Sequence, residues 1–281
     1  MKLSESYIKG TFKELDKIEK AYSKKLSQLV IDLTQEYNYM LSEIYMLYGD
    51  DVNLTDLSQS LTYREKQRLW EEYKRFIEEY GEYSSEYTVT KVALFAMLAI
   101  DSYFFRAKMA AAPFMRQAER DAKNMYEEVL KGRSKKEKET IINNTDIPYK
   151  ESIRIITMKI THQTETVIKN ALTRQENKTA VRSLTGKKLK QIKNQLESSM
   201  FTNNTLMLNE SNQIDGRENG YQGYRIGNIN PITDICQNMI GQYFLYDKRI
   251  VGLTAPPFHY RCKSYEIPAT NEELRNAGVL K

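Results

Sequence analysis

The sequence predicts a mainly α protein, with an elongated helical N-terminal domain over residues 1–200 and a small C-terminal α+β unit over 201–281. Three observations carry this reading. Apolar residues recur at helical spacing through most of the chain. Glycines and prolines number only 12 and 6 in 281 residues, too few for a loop-rich or β-rich protein, and gather toward the C-terminal end. The rare chemistry is concentrated: both cysteines, Cys236 and Cys262, and one of the two histidines, His259, lie between Pro231 and Pro268.

The totals set bounds. A chain of this length buries a real core as one large domain or two modest ones. Its formal charge of +5 is a mild bias that permits a nucleic-acid neighbour without demanding one. The N-terminal MKLSESYIKG lacks the apolar core of a signal peptide, so secretion is not expected. The longest apolar run, Val92 to Ile100, stops at Asp101, far short of the roughly twenty residues a bilayer span needs, and reads as a buried helix. Two cysteines in a chain expected to be made in the cytoplasm do not form a disulfide framework. Reduced thiols or a metal site remain.

From Ile8 to Leu47 apolar side chains recur at Ile8, Phe12, Leu15, Tyr22, Leu26, Leu29, Leu33, Tyr37, Met40, Ile44 and Leu47. Steps of three and four, with one seven-residue step past Ile18, define one long amphipathic helix with a Lys/Glu-rich solvated face. Gly49-Asp50-Asp51 ends it. Thr62-Tyr63-Arg64-Glu65 has the capping-box form, in which a hydroxyl and a carboxylate satisfy free amides at a helix start. That helix carries Leu69, Trp70, Tyr73, Phe76, Ile77 and Tyr80 on one side, and Gly81 stops it. Trp70 reads as core.

A further helical stretch runs from Ser85 to Leu130, interrupted near Pro113, and its apolar middle places it at the centre of the helical domain. Lys131 to Lys138 reads as a polar connector. Asp146-Ile147-Pro148 opens another helix reaching Arg174, along which His162 is structural. The most basic stretch follows: Arg174, Lys178, Arg182, Lys187, Lys188, Lys190 and Lys193 against Glu176 alone. It is either a solvated helix face or a contact for phosphate or an acidic partner through Lys187, Lys188, Lys190 and Lys193. Thr205 to Tyr224, with three glycines, is ambiguous by spacing between weak helix and turns. Tyr224–Ile229 alternates enough to be a short strand, and Tyr243–Tyr246 and Tyr265–Ile267 are further strand candidates.

Cys236, His259 and Cys262 form the pattern C-x22-H-x2-C, whose thiolates and imidazole are good zinc ligands. Asp234 and Asp247 are the nearby candidates for a fourth ligand, though carboxylates replace thiolate poorly in structural zinc sites. Three ligands plus water would describe a catalytic zinc, but neither His-Glu-x-x-His nor His-x-Glu is present. The alternative is two buried reduced cysteines beside a hydrogen-bonded histidine. No phosphate-binding GxxxxGK[ST], no GxGxxG and no Gly-x-Ser-x-Gly elbow occurs.

Thr233-Asp234-Ile235-Cys236, then Gly241 and Phe244, then Pro256-Pro257-Phe258-His259 with Arg261-Cys262, resembles the signature of tailed-phage head morphogenesis proteins, the Mu F-like minor head or minor capsid family. The motif covers about forty residues; upstream, the resemblance is one of helical layout. Thr233 stands where many members carry an earlier cysteine, Ser264 where they carry a terminal one, Tyr260 where proline is usual, and Lys263 at a second arginine-type position. Those departures remove two potential ligands. Glu210 and Asn212, followed by Tyr221 and Tyr224, resemble the E-x-N helix that precedes the motif, which implies a helical Thr205 to Tyr224.

The resemblance implies a structural, non-enzymatic virion component inside the capsid near the portal, assembled in the host cytoplasm. Its implied partners are portal protein, capsid or scaffolding proteins and packaged DNA, without a membrane span. The competing class is a zinc-dependent hydrolase or nuclease delivered with the genome; a free-standing DNA-binding protein is a third.

Overall fold

A computed structural model of the chain describes residues 3–48, 64, 67, 71, 75, 112–114, 116–145, 163, 164, 166–168, 170, 171, 174 and 176–281. The protein is mainly helical, with a small three-stranded antiparallel sheet near the C-terminus. It divides into two compact units: Met1–Ser27, Ala118–Ile155 and Asn194–Lys281 form the first, and Gln28–Gln117 and Ile156–Lys193 the second. The boundary expected between 200 and 201 falls inside an unbroken helix. Most of the expected helices over 62–80 and 146–174, with Trp70 and His162, and the apolar run Val92–Ile100, lies outside the described residues. Among the described residues no helix is long and apolar enough to cross a membrane.

Helix α1 spans Glu5–Tyr48. Ile8, Phe12, Leu15, Tyr22, Leu26, Leu33 and Tyr37 are buried along it, as the spacing requires. Leu41 is buried too, and Leu29 is half-buried. The skipped turn at Ile18 has a physical cause: the buried residue beside it is Glu19, which is 2% exposed. The expected polar connector after Lys131 proves to be a turn followed by α2, Lys135–Asn144. Ser134 caps it: its hydroxyl accepts from the Glu137 N–H while the Glu137 carboxylate accepts from the Ser134 N–H. The residues before this turn, 116–129, are helical.

Helix α3, Lys178–Glu218, begins where the Asn177 side chain accepts from the Ala180 N–H. It continues through most of the stretch that spacing left ambiguous. Gly220, at a φ of 81°, supplies the left-handed residue that closes it. In the second unit its Val181, Thr185, Leu189 and Ile192 are buried, and Arg182 donates to the Asn38 carbonyl (3.0 Å) and to the Ser42 hydroxyl of α1.

In the first unit, β1 (Gly223–Asn228), α4 (Asp234–Met239), β2 (Tyr243–Leu245), a 3-10 turn (Tyr246–Lys248), β3 (Ser264–Ala269) and α5 (Asn271–Asn276) follow in order. The sheet order is β2-β1-β3, both pairings antiparallel, with Tyr224 opposite Phe244 and Ile226 opposite Glu266. One face, carrying Tyr265 and Ile267, packs on Ile8, Phe12 and Leu15 of α1, with the Phe12 and Tyr265 rings 5.2 Å apart. Gly227 lies opposite Tyr265 across the strands, where a Cβ would meet the tyrosine ring at 2.4 Å, so only glycine lets the ring lie flat on the sheet. Tyr224, Ile226, Tyr246 and Ala255 make a second cluster, and Tyr126, Leu130, Ile141 and Met207 a third.

The far edge of β3 is closed by a helix. Asn209 of α3, fully buried, donates from Nδ2 to the Ser264 carbonyl (3.2 Å) and accepts at Oδ1 from the Glu266 N–H (2.8 Å). One turn earlier, Thr205 Oγ1 donates to the Cys262 carbonyl (2.6 Å). Beyond this edge Glu266 lies fully buried, receiving the Arg249 guanidinium at 2.8 Å, while Arg249 also reaches Glu210 at 3.1 Å. Burial pushes the Glu266 carboxyl up to about 7, with Arg249 pulling it down and Glu210 adding to the rise.

Two outcomes are expected. Asn209→Ala leaves two buried β3 backbone groups unpartnered and should lower stability by roughly 2–4 kcal/mol in urea titration; a loss below that of an average surface substitution would sink the edge-closing role. Because the folded Glu266 pKa lies above its unfolded value near 4.5, its stabilising share is full below about pH 4.5 and lost as pH rises through about 7. Glu266→Gln should therefore match the parent below pH 4.5 and exceed it at pH 8 by on the order of 3 kcal/mol. Parallel stability curves for the two proteins would contradict it.

Candidate metal centre

The site is assembled by a cap, a turn and a strand start. Thr233 accepts the Cys236 N–H on its hydroxyl (3.3 Å) and so begins α4, which places Cys236 on the inner side of the helix with 1% exposure. Further on, the chain passes Ala255 of the second cluster and a cis Pro256–Pro257 bond before Phe258 packs against that cluster. A tight turn then closes with the Cys262 N–H on the His259 carbonyl (3.2 Å). Arg261, inside that turn, has a φ of 61°, a conformation unfavourable for a residue with a Cβ. It is held there from α3: its N–H donates to Thr202 Oγ1 (2.9 Å), and its guanidinium to Ser198 Oγ (2.9 Å) and Glu197 Oε2 (3.0 Å).

Cys236 Sγ lies 2.9 Å from His259 Nε2 and 3.7 Å from Cys262 Sγ, and the three ligand atoms are all within 4.8 Å of one another. Both cysteines are reduced, since a disulfide needs sulfurs about 2.05 Å apart. His259 Nδ1 is 2.7 Å from the Tyr260 carbonyl, which only accepts; Nδ1 therefore carries the proton, and the Nε2 lone pair faces the sulfur. An imidazole fixed in this way by a backbone carbonyl is the arrangement of a metal-ligating histidine. The Ser264 N–H points at Cys262 Sγ (3.4 Å). Burial pushes the Cys236 thiol up, with the Ser264 hydroxyl pulling the other way.

The donor set fits zinc. With Zn–S near 2.3 Å and Zn–N near 2.0–2.1 Å, a tetrahedral site has an S···S edge of about 3.8 Å and an S···N edge of about 3.6 Å. The sulfur pair already has that spacing. The Cys236–His259 pair is shorter because a hydrogen bond holds it, and would open by roughly 0.7 Å around an ion. Zinc held here would act as a cross-link between α4, the turn and the start of β3.

Asp234, read from the sequence as a fourth ligand, stands two residues before Cys236 on α4 and is exposed; positions i and i+2 of a helix face different ways. It lies outside the ligand group, as does the exposed Asp247. Lys187 and Lys190 are exposed on the second unit's part of α3. Lys188 and Lys193 are half-buried, and Lys188 donates to Gln191 (3.3 Å). The structure thus joins Cys236, His259 and Cys262 and leaves the lysines in the other unit. Asn209 and Thr205 escaped the sequence reading, and Arg261 entered it only as part of the motif; the available signal was Thr205-x3-Asn209, two polar residues on one face of an otherwise apolar helical turn. No protein family, curated protein or solved structure matches the chain.

Zinc at about a hundred times its Kd should stabilise the protein by roughly 2.7 kcal/mol, reversibly on chelation. The gain should vanish in Cys236→Ser and in His259→Ala. Loading must displace the raised Cys236 proton, so calorimetry should record proton release and affinity should be higher at pH 8 than at pH 6. An unchanged melting temperature with and without zinc at both pH values would remove the metal reading.

Proposed function

We propose that this chain is a structural component of a tailed-phage head, of the Mu F-like minor head class, acting in capsid morphogenesis at the portal vertex. One observation carries the reading: the separated positions of the resemblance gather at one buried cluster. Cys236, His259 and Cys262 are in mutual reach, Thr233 caps the helix bearing Cys236, and Ser264 Oγ lies 3.4 Å from the Cys236 sulfur. Residues 233 to 264 are thus used together, as a motif should be. The cluster's chemistry supports zinc as a fold-locking ion. The two nearby carboxylates, Asp234 and Asp247, are exposed to solvent instead.

In this reading the protein resides inside the capsid near the portal, contacting portal protein and capsid or scaffolding proteins, after assembly in the host cytoplasm. The exposed Lys187 and Lys190, with Lys188 and Lys193 beside them, contact the portal or the packaged DNA through charge.

The chain carrying an affinity tag, expressed in infected cells, should co-purify with portal protein, and purified virions should contain it. Virions lacking it altogether would end the proposal. Reversing Lys187 and Lys190 to Glu should cut portal recovery or DNA retention several-fold while leaving the melting temperature unchanged, since both side chains are exposed. A hydrolase delivered with the genome would show a different pattern: nucleic-acid cleavage lost in His259→Ala while the protein stays folded and bound to the portal.

A further inference from the structure

Among the described residues, Cys236 Sγ has a further side-chain polar neighbour besides the histidine and the second cysteine. It is Ser264 Oγ, 3.4 Å away and fully buried. With Zn–O near 2.0–2.2 Å, the S···O edge of a tetrahedral zinc site is about 3.6 Å. The spacings from Cys236 Sγ to Cys262 and Ser264 are therefore close to those of one tetrahedron, and the His259 spacing reaches it on opening by roughly 0.7 Å.

The serine is held in that position on three sides. It faces Asn228 across the β1–β3 pairing, and Asn228 Nδ2 donates to its Oγ at 2.7 Å. The asparagine is itself oriented, because its Oδ1 accepts from the Asn230 N–H (2.7 Å), leaving Nδ2 to face the serine. The Ser264 backbone is fixed at both ends, its N–H on Cys262 Sγ and its carbonyl under Asn209. A hydroxyl has two lone pairs and one proton. Asn228 occupies one lone pair and the proton points at Cys236 Sγ; the second lone pair is unclaimed, and rotating the O–H away from the sulfur would turn it to the ligand group.

We propose that Ser264 Oγ is the fourth donor of the metal site, positioned by Asn228, so that zinc is bound by two thiolates, one imidazole and one hydroxyl. This rests on the zinc reading of Cys236, His259 and Cys262. It replaces the carboxylate of Asp234 with a buried neutral oxygen. The site is then closed to solvent on the side of β3 and carries no open position for a substrate.

Cobalt(II) serves as the probe, since thiolate-to-cobalt charge transfer scales with the number of sulfur ligands. The full-length parent should show the intensity of two thiolates, and Ser264→Cys about 1.5 times that, with zinc affinity by chelator competition raised at least about 10-fold. Ser264→Ala should lower zinc affinity about 10-fold and shift the cobalt d–d bands as water replaces the hydroxyl. Asn228→Ala should weaken binding in the parent but not in Ser264→Cys, whose sulfur needs no orienting amide. Circular dichroism checks that each variant is folded. A Ser264→Cys protein that binds cobalt with two-thiolate intensity, or a Ser264→Ala protein with parental zinc affinity, overturns the assignment while leaving the hook intact. Folded parent and Ser264→Cys proteins that both take up no cobalt would overturn the hook and Ser264 together.

Discussion

The first unit is organised by one side chain at a sheet edge. Asn209 presents an acceptor and a donor to β3 with the spacing a neighbouring strand would offer, and so α3 stands where a fourth strand would be. A strand that is buried along its whole length cannot leave its outer amides to water, because none reaches them. Each such group left alone costs about 1–3 kcal/mol, as much as burying one aliphatic side chain gains. This requirement sets where α3 lies along β3 to within a residue. With that register fixed, Thr205 falls under the Cys262 carbonyl and Glu210 reaches Arg249.

The segment entering β3 then has a strict two-residue alternation. Cys262 and Ser264 point inward to the ligand group, while Arg261 and Lys263 point to the helices behind. Arg261 meets Glu197 of α3, and Lys263 meets Glu19 of α1. Burial raises the Glu19 carboxyl and Lys263 opposes that rise, so the pair is a compromise between desolvation and attraction. Buried pairs of this kind add little net stability compared with apolar replacements; breaking one leaves a charge stranded. Their effect here is to select a register, since a one-residue slip would turn both cations into the ligand group and both donors out of it.

That division explains what could be read from the chain. Period-3.6 and period-2 patterns are local, and α1 was legible because its apolar face is buried as the pattern assumes, while the strands were legible from their short apolar and aromatic runs. The ligand trio was legible because cysteine and histidine are scarce. Glu19 interrupted the apolar face of α1 because a charged partner on another element, Lys263, decides that position. Ser134-x-x-Glu137 was a readable capping box hidden in a basic run, where charge composition outweighed the motif. Asn209 and Arg261 carry no local signal of their role: one is an ordinary helical asparagine and the other an arginine whose backbone conformation is imposed by α3. Their meaning exists only across more than fifty residues of separation.

Electrostatics gives a reason for a hydroxyl at position 264. Zinc with two thiolates, a neutral imidazole and a neutral hydroxyl has no net charge, whereas a third thiolate would leave one negative charge. The cluster sits where β3 is buried throughout, and the surrounding cations are already committed, Arg261 to Glu197 and Lys263 to Glu19. An added charge there would have no partner, so desolvation would offset part, but not all, of the affinity a third thiolate gains. A serine at this position trades some intrinsic affinity for neutrality, and it keeps a hydrogen bond to Cys236 when no ion is held. The same donors make a satisfied polar cluster without metal and would make a closed neutral site around one. An ion held there would add to a β3 register that Asn209 has already set.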